Sequence, residues 1–283
     1  MVYCSEEYSL KGAMGMKLQY LGTAAAEGVP AVFCPCPACA HARKVGGKEV
    51  RTRSGAIVDD ALKLDFPGDA YMQALKWGLD YSKLQHVLIT HTHRDHFCPE
   101  EFENRFKPLS QLPEDAAPLT VYGSAQAREK LAAYLKDGVL EFVALKPYDT
   151  VDAGGYRVTA LNAVHAFNET ALFYRIEKDG KRLLYAHDTD EFTPEHLEFL
   201  KGARLDIVSL DCTNGVLECD YIGHMGISDN LRMREKLYEI GAADEKTIFV
   251  ANHFSHNGVA PYDEMCRRLP GFIVSYDGLT VEA

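Results

Sequence analysis

The densest run of metal-binding side chain types in the chain is Thr90-His91-Thr92-His93-Arg94-Asp95-His96, directly after the apolar residues Val87-Leu88-Ile89. A buried strand ending at Ile89 would release His91 and His93 into a loop and set Asp95 and His96 on the following turn. Imidazole nitrogens and carboxylate oxygens are ligands of divalent cations, and this spacing offers two adjacent ligand sets. One loop cannot complete both. Three more ligand-type residues each follow a strand-like run: His165 after Asn162-Ala163-Val164, Asp188 after residues 183–187, and His253 after residues 248–252. Chemistry is placed where rigid elements give way to loops, so these three are expected to complete the sites, with Asp188 shared between two ions. His187 and Asp190 are the alternatives to Asp188. His187 alternates with it along the strand and should face the other way.

A second constellation is Cys34-Pro35-Cys36-Pro37-Ala38-Cys39. Three thiols in six positions form a structural zinc set that lacks one ligand. His256, three residues after His253, is the expected fourth ligand, and His41 is the local alternative. Buried prolines between the cysteines are expected to stiffen this stretch as a loop. A closed site of this kind stabilises and does not catalyse; it would pin the N-terminal loop beside the strand leading to His253.

The elements that must position these residues are legible as short apolar runs. Strand-like runs fall at residues 17–21, 56–66, 86–90, 119–122, 139–145, 156–163, 170–177, 182–187, 206–210, 247–251 and 271–276. Amphipathic stretches of helical period fall at 69–79, 125–135, 194–200, 227–240 and 261–268. Ser124, Thr193-Pro194 and Ser228 supply helix-start signals. No linker, repeat or low-complexity block interrupts them. Residues 16–283 are expected to form one domain of sheets and helices, and residues 1–15 an N-terminal extension.

Composition sets the outer bounds. The chain has 283 residues, 47% of them hydrophobic and 25% charged, which is enough to bury a core and excludes disorder as its main character. A net charge of −11 argues against a long nucleic acid as partner. No apolar stretch approaches the roughly 20 residues of a membrane helix. Eight cysteines are too sparse for a disulfide scaffold, and the start Met1-Val2-Tyr3-Cys4-Ser5-Glu6-Glu7-Tyr8 lacks a secretory signal. A reducing cytoplasm is the expected compartment.

The HxHxDH loop at residues 91–96 resembles the signature of the metallo-β-lactamase superfamily. The resemblance implies a four-layer α/β/β/α sandwich with a dinuclear site at one edge between the sheets. It implies that His91, His93 and His165 hold one ion and that Asp95, His96 and His253 hold the second, with Asp188 as the bridge. Asp65 matches the superfamily's buried acidic residue; a strand-end turn is the alternative role. Leu21-Gly22-Thr23, Gly28-Val29-Pro30, the cysteine loop, Arg51-Thr52-Arg53-Ser54 and His253-Phe254-Ser255-His256 are together similar to the phosphoribosyl cyclic phosphodiesterase (PhnP-like) group. The pyrroloquinoline quinone biosynthesis proteins of the B type, possessing the same cysteine loop, are the alternative, with redox in place of hydrolytic chemistry.

The resemblance implies a metal-dependent phosphodiesterase using two zinc or manganese ions beside one structural zinc. Its substrate would be a small, cyclic phosphodiester of a ribose phosphate or nucleotide, and a homodimer is compatible with it. Paired cations acidify a water to make a nucleophile and neutralise phosphoryl charge, so an acidic chain can still serve an anionic substrate. His224, in Gly223-His224-Met225-Gly226, would contact the scissile phosphate or protonate the leaving group, and Asp95 would orient the attacking water as well as ligate. Gly223 and Gly226 would let the backbone approach a ligand closely. Arg51, Arg53 and Arg94 are the candidate phosphate contacts. Processing of tRNA 3′ ends shares the chemistry but needs a long basic arm, which this sequence lacks.

Overall fold

A computed structural model describes residues 15–165, 168–218 and 222–283. In chain order its strands are β1 (Lys17–Gly22), β2 (Gly55–Val58), β3 (Leu62–Leu64), β4 (His86–Leu88), β5 (Leu119–Gly123), β6 (Leu140–Ala144) and β7 (Thr150–Ala153). They continue with β8 (Tyr156–Asn162), β9 (Leu172–Lys178), β10 (Lys181–Ala186), β11 (Ile207–Asp211), β12 (Ile248–Asn252), β13 (Phe272–Val274) and β14 (Thr280–Glu282). The helices are α1 (Pro37–Val45), α2 (Ala70–Trp77), α3 (Ala125–Leu131), α4 (Pro194–Leu200), α5 (Ile227–Glu239) and α6 (Tyr262–Arg268).

Two seven-stranded sheets result, in the orders β14-β1-β2-β3-β4-β5-β6 and β13-β12-β11-β10-β9-β8-β7. Each is antiparallel in one part and parallel in the other: β3 to β6 run parallel in the first sheet, and β10 to β13 in the second. Strand alternation explains the layers. Leu18 and Tyr20 of β1, Leu62 and Leu64 of β3, and Tyr174 and Leu183 opposite them fill the space between the sheets. Leu184 and Val208 instead point outward, onto Leu200 of α4 and Met233 and Leu237 of α5. Val87 and Val121 point outward onto Ala127 and Leu131 of α3. The expected four-layer α/β/β/α sandwich is the architecture found.

Parallel pairing has a direct consequence for the site. The C-terminal ends of β3 and β4 lie together in one sheet, and those of β10, β11 and β12 in the other, so the segments after them meet at one edge of the sandwich. Thr90 joins the two sheets there, its carbonyl accepting from Leu172 N at 2.8 Å.

Three expectations change. The run at 56–66 is two strands, because Asp59 and Asp60 both take left-handed conformations and reverse the chain. Thr150–Ala153 and Thr280–Glu282 are edge strands too short and polar to show a period. The stretch after Cys36 is helix α1 rather than loop: Pro37 occupies its first turn, and the Cys36 side chain accepts from Cys39 N as the cap. Pro35 and Pro37 are exposed, not buried. The expected extension, residues 1–15, lies outside the described residues apart from Gly15. Among the described residues no helix is long and apolar enough to cross a membrane.

Candidate dinuclear metal centre

Three of the side chains at this edge belong to residues in the left-handed region: Asp65 (φ 57°), Asp188 (φ 47°) and His253 (φ 65°). Each ends a strand, and the reversed backbone turns its side chain out of the pleat. Such conformations persist only where surrounding bonds hold them. Asp65 N donates to Leu88 O at 2.8 Å, Asp188 N to Asp211 Oδ2 at 3.1 Å, and Phe254 N, just past His253, to Thr23 O at 2.9 Å.

Asp65 acts on the loop that follows β4. Its buried carboxylate accepts from Thr90 N at 2.8 Å and Thr90 Oγ1 at 2.9 Å, and lies 2.6 Å from His96 Nδ1. That contact commits the His96 Nδ1 proton to Asp65 and turns Nε2 toward the edge. His253 is fixed in the same way, with Nδ1 2.7 Å from Thr213 Oγ1. His165 Nδ1 donates to Gly223 O at 3.1 Å. In each case one ring nitrogen is tied to a neighbour and the other is aimed inward, as in metal sites generally.

The inward atoms form two groups. One nitrogen from each of His91, His93 and His165 lies within 4.8 Å of the others. Asp95, His96, Asp188 and His253 form a second group by the same measure. Asp188 faces both. Its Oδ2 is 2.5 Å from His96 Nε2 and 3.2 Å from His253 Nε2, and it also stands 3.9 Å from His91 Nε2, while Oδ1 is 3.8 Å from His165 Nε2. The alternatives point elsewhere: His187 lies between the sheets, 2.8 Å from Ser209 Oγ, and the Asp190 carboxylate accepts from Glu191 N.

These residues fit divalent cations. His91 Nε2 and Asp188 Oδ2 are buried without a hydrogen-bond partner. His96 Nε2, whose ring has already given its proton to Asp65, confronts a carboxylate oxygen, so two acceptors face each other in a dry site. A proton or a cation must lie between them. With protons alone, burial opposes the charge, yet Asp188, Asp65 and Asp95 hold the His96 imidazole well above its usual range. His253 is likewise pushed up to about 10 by Asp188 and Asp211 against its burial. His91 moves the other way, lowered by burial and by His96, which favours its neutral form. Cations entering the site would displace those protons.

His224 stands beside both groups and forms, with Asp188, Asp211 and His253, a further set whose ligand atoms lie within 4.8 Å of one another. Its Nδ1 is 3.2 Å from Asp211 Oδ2 and 3.4 Å from Asp188 Oδ1, and Asp211 raises its pKa in spite of burial. Gly223 adopts φ 111°, and a Cβ there would come 3.2 Å from His165 Nδ1. Its lack of a side chain leaves room for the His165 ring. Gly226 similarly packs against Gly215, where a Cβ would meet the carbonyl at 3.2 Å.

The second constellation also assembles. Cys34, Cys36, Cys39 and His256 each place a ligand atom within 4.8 Å of the others. His256 Nδ1 is 3.4 Å from Cys36 Sγ and 3.7 Å from Cys34 Sγ. The amide of Cys39 and then His256 lower the Cys36 thiol to about 6, which favours the thiolate that binds metal. His41 instead lies 3.4 Å from Glu49.

Sequence reasoning missed Asp211 and Glu169. Asp211 is buried at the end of β11 and accepts from Thr213 N, Met225 N and Asp188 N, knitting three loops together. It satisfies the same test as Asp188 and His253, a ligand-type residue closing a buried strand. Glu169 accepts from Thr92 N at 3.0 Å and carries no such signal. Arg51 is a correction: it is buried, donating to Thr23 Oγ1 and Ser275 O and stacked on Phe254, so it cannot meet a phosphate. Arg53 is held by Asp69 at 2.9 Å, and Arg94 is exposed.

Strand ends converging on two histidine–aspartate groups, in an α/β/β/α sandwich, define a class. Residues 67–254 match the family model of the beta-lactamase superfamily domain, and the chain belongs to that family. Among solved structures it is similar to a diphosphatase of the PhnP family, at 23% identity and TM-score 0.75, covering 95% of this chain and 98% of that one. It is similar to zinc-bound PqqB from Methylobacterium extorquens, at 18% identity and TM-score 0.72, covering 94% and 100%. Among curated proteins it is 26% identical over 155 residues to maintenance of telomere capping protein 2 of Zygosaccharomyces rouxii, covering 50% of this chain and 45% of that one. The chain thus spans under half the length of this curated relative.

Proposed function

We propose that the chain is a metal-dependent phosphodiesterase that hydrolyses a small, cyclic phosphodiester of a ribose phosphate or nucleotide. The observation that carries the reading is Asp188, one carboxylate facing both ligand groups at the mouth of the sandwich. Two zinc or manganese ions, when bound, would supply Lewis acidity toward phosphoryl oxygens and a water acidified toward neutrality. His91, His93 and His165 would hold one and Asp95, His96 and His253 the other, with Asp188 common to both.

The remaining groups are this chain's own contribution. Asp65 and Thr213 fix the rings of His96 and His253. Asp95, 3.3 Å from His96 Nε2, presents a carboxylate that can orient an attacking water. His224, oriented by Asp211, is placed to give a hydrogen bond to the phosphate or a proton to the departing alkoxide, which leaves poorly unprotonated. Cys34, Cys36, Cys39 and His256 would hold a structural zinc. The likeness to a PhnP-family diphosphatase supports phosphoryl chemistry in particular.

The test is a screen of cyclic ribose and nucleotide phosphates with metal analysis of the same sample. Hydrolysis of at least one with zinc or manganese present is expected. Iron in the site with no phosphodiester turned over would overturn the reading in favour of redox chemistry.

A further inference from the structure

A cavity of about 580 Å³ lies on the Arg94 side of the ligand loop. Its walls include Arg94, which stands between His93 and Asp95, and His256, three residues beyond His253. The cavity therefore borders the two segments that carry His93, Asp95 and His253. A volume of this size holds a ligand as large as a nucleoside.

The far wall is the loop bearing Val32 and Phe33, which are 70% and 98% exposed. A phenylalanine so exposed contributes nothing to the core, yet its loop is held firmly. Cys34 N donates to Ala31 O at 3.1 Å, and Arg43 clamps both ends, donating to Ala31 O at 2.8 Å and Cys34 O at 2.7 Å. Cys39 Sγ accepts from Ala31 N at 3.2 Å. The cysteine cluster thus mounts this loop from below. Arg53, also on the wall, has its guanidinium oriented by Asp69 and Ala26 O. An exposed aromatic ring on an anchored loop, two guanidinium groups and a neighbouring candidate phosphoryl site are the elements that recognise a base joined to a phosphate.

We propose that this cavity receives the nucleobase of the substrate, with Phe33 stacked on the base and Arg94 contacting the phosphate beside it. The proposal rests on the phosphodiesterase reading and narrows it: nucleoside phosphodiesters are preferred over sugar phosphates that lack a base. Phe33 is a specificity-determining residue, and the cysteine cluster serves substrate choice by holding it in place.

The experiment compares adenosine 2′,3′-cyclic phosphate with methyl ribofuranoside 2,3-cyclic phosphate, which keeps the diester and loses the base. In the metal-loaded protein, Phe33→Ala is expected to raise KM for the adenosine substrate roughly ten-fold, the scale of one base–aromatic stack. kcat, and both parameters for the base-free substrate, should stay within about two-fold, and Phe33→Trp should restore the adenosine KM. Calorimetric binding of adenosine 2′-monophosphate gives a readout without turnover, and Phe33→Ala should weaken it by the same factor. An equal effect on both substrates, or on neither, overturns the proposal. Should wild type hydrolyse neither diester, the phosphodiesterase reading fails, and the binding measurement alone decides whether the cavity takes a base.

Discussion

Oδ2 of Asp188 lies 2.5 Å from Nε2 of His96, and both side chains are buried. The other nitrogen of His96 is already bonded to Asp65, 2.6 Å away. A single imidazole is therefore gripped between two carboxylates from different sheets, since Asp65 follows β3 and Asp188 follows β10. This arrangement holds positive charge at the sandwich edge, whether as protons or as cations.

Asp65 touches no candidate ligand group except through His96 and Thr90, so its part is orientation. Asp65→Asn is expected to lower metal affinity and turnover by roughly 10–100-fold, the usual effect of removing a partner that aligns a ligating histidine. Metal titration with circular dichroism checks this; the fold should persist.

On the proposed reading His224 does proton or phosphate work, although its ring also lies within ligand distance of Asp188, Asp211 and His253. His224→Ala is expected to keep the metal content of the protein and to lower turnover by about 10²–10⁴-fold. Elemental analysis and kinetics on one preparation separate the two effects. Loss of metal would make His224 a ligand instead.

The cysteine cluster should behave as an independent site. Cys36→Ala is expected to remove about one zinc per chain and lower the thermal midpoint, because a structural zinc contributes folding energy directly. Metal at the histidine–aspartate groups should remain. Differential scanning calorimetry and elemental analysis read both.

Lys63 gives the pH prediction. Strand alternation sends it away from the inter-sheet core, where it is buried and donates to Leu64 O and Asp65 O. Burial pushes its ammonium down to about 7, against the pull of Asp65. The unfolded chain, with a lysine near 10.5, binds the extra proton between these values. Stability from this group is thus complete above the unfolded value and is lost as pH falls toward 7. Relative to Lys63→Met, wild type should gain about 1.4 kcal/mol per pH unit as pH rises through that window. Denaturant titrations at pH 7 to 10 test it, and a flat difference would contradict it.

How much of this was legible follows physical lines. His91, His93, Asp95 and His96 could be read because a short apolar run leads directly into them, and Asp188 and His253 because each closes another such run. The helix at Pro37–Val45 was hidden, since its buried face is only Cys39 and Ala42, too small to stand out as an apolar period. Asp59 and Asp60 split a strand that hydropathy alone joins. Arg51 reads in the sequence as a candidate phosphate contact, and only the packing of Thr23, Ser275 and Phe254 around it shows that the charge is buried. Long-range partners of this kind leave no trace in local spacing, whereas strand ends do.

If the edge histidines and Asp188 hold cations that serve phosphodiester hydrolysis, activity must follow the metal. The most direct measurement is hydrolysis of bis(p-nitrophenyl) phosphate by the metal-depleted protein as manganese is added back, with His91→Ala alongside. Activity is expected to appear with the added metal, and His91→Ala is expected to abolish it while remaining folded. Full activity in His91→Ala, or none in wild type at any metal loading, would contradict the phosphodiesterase reading.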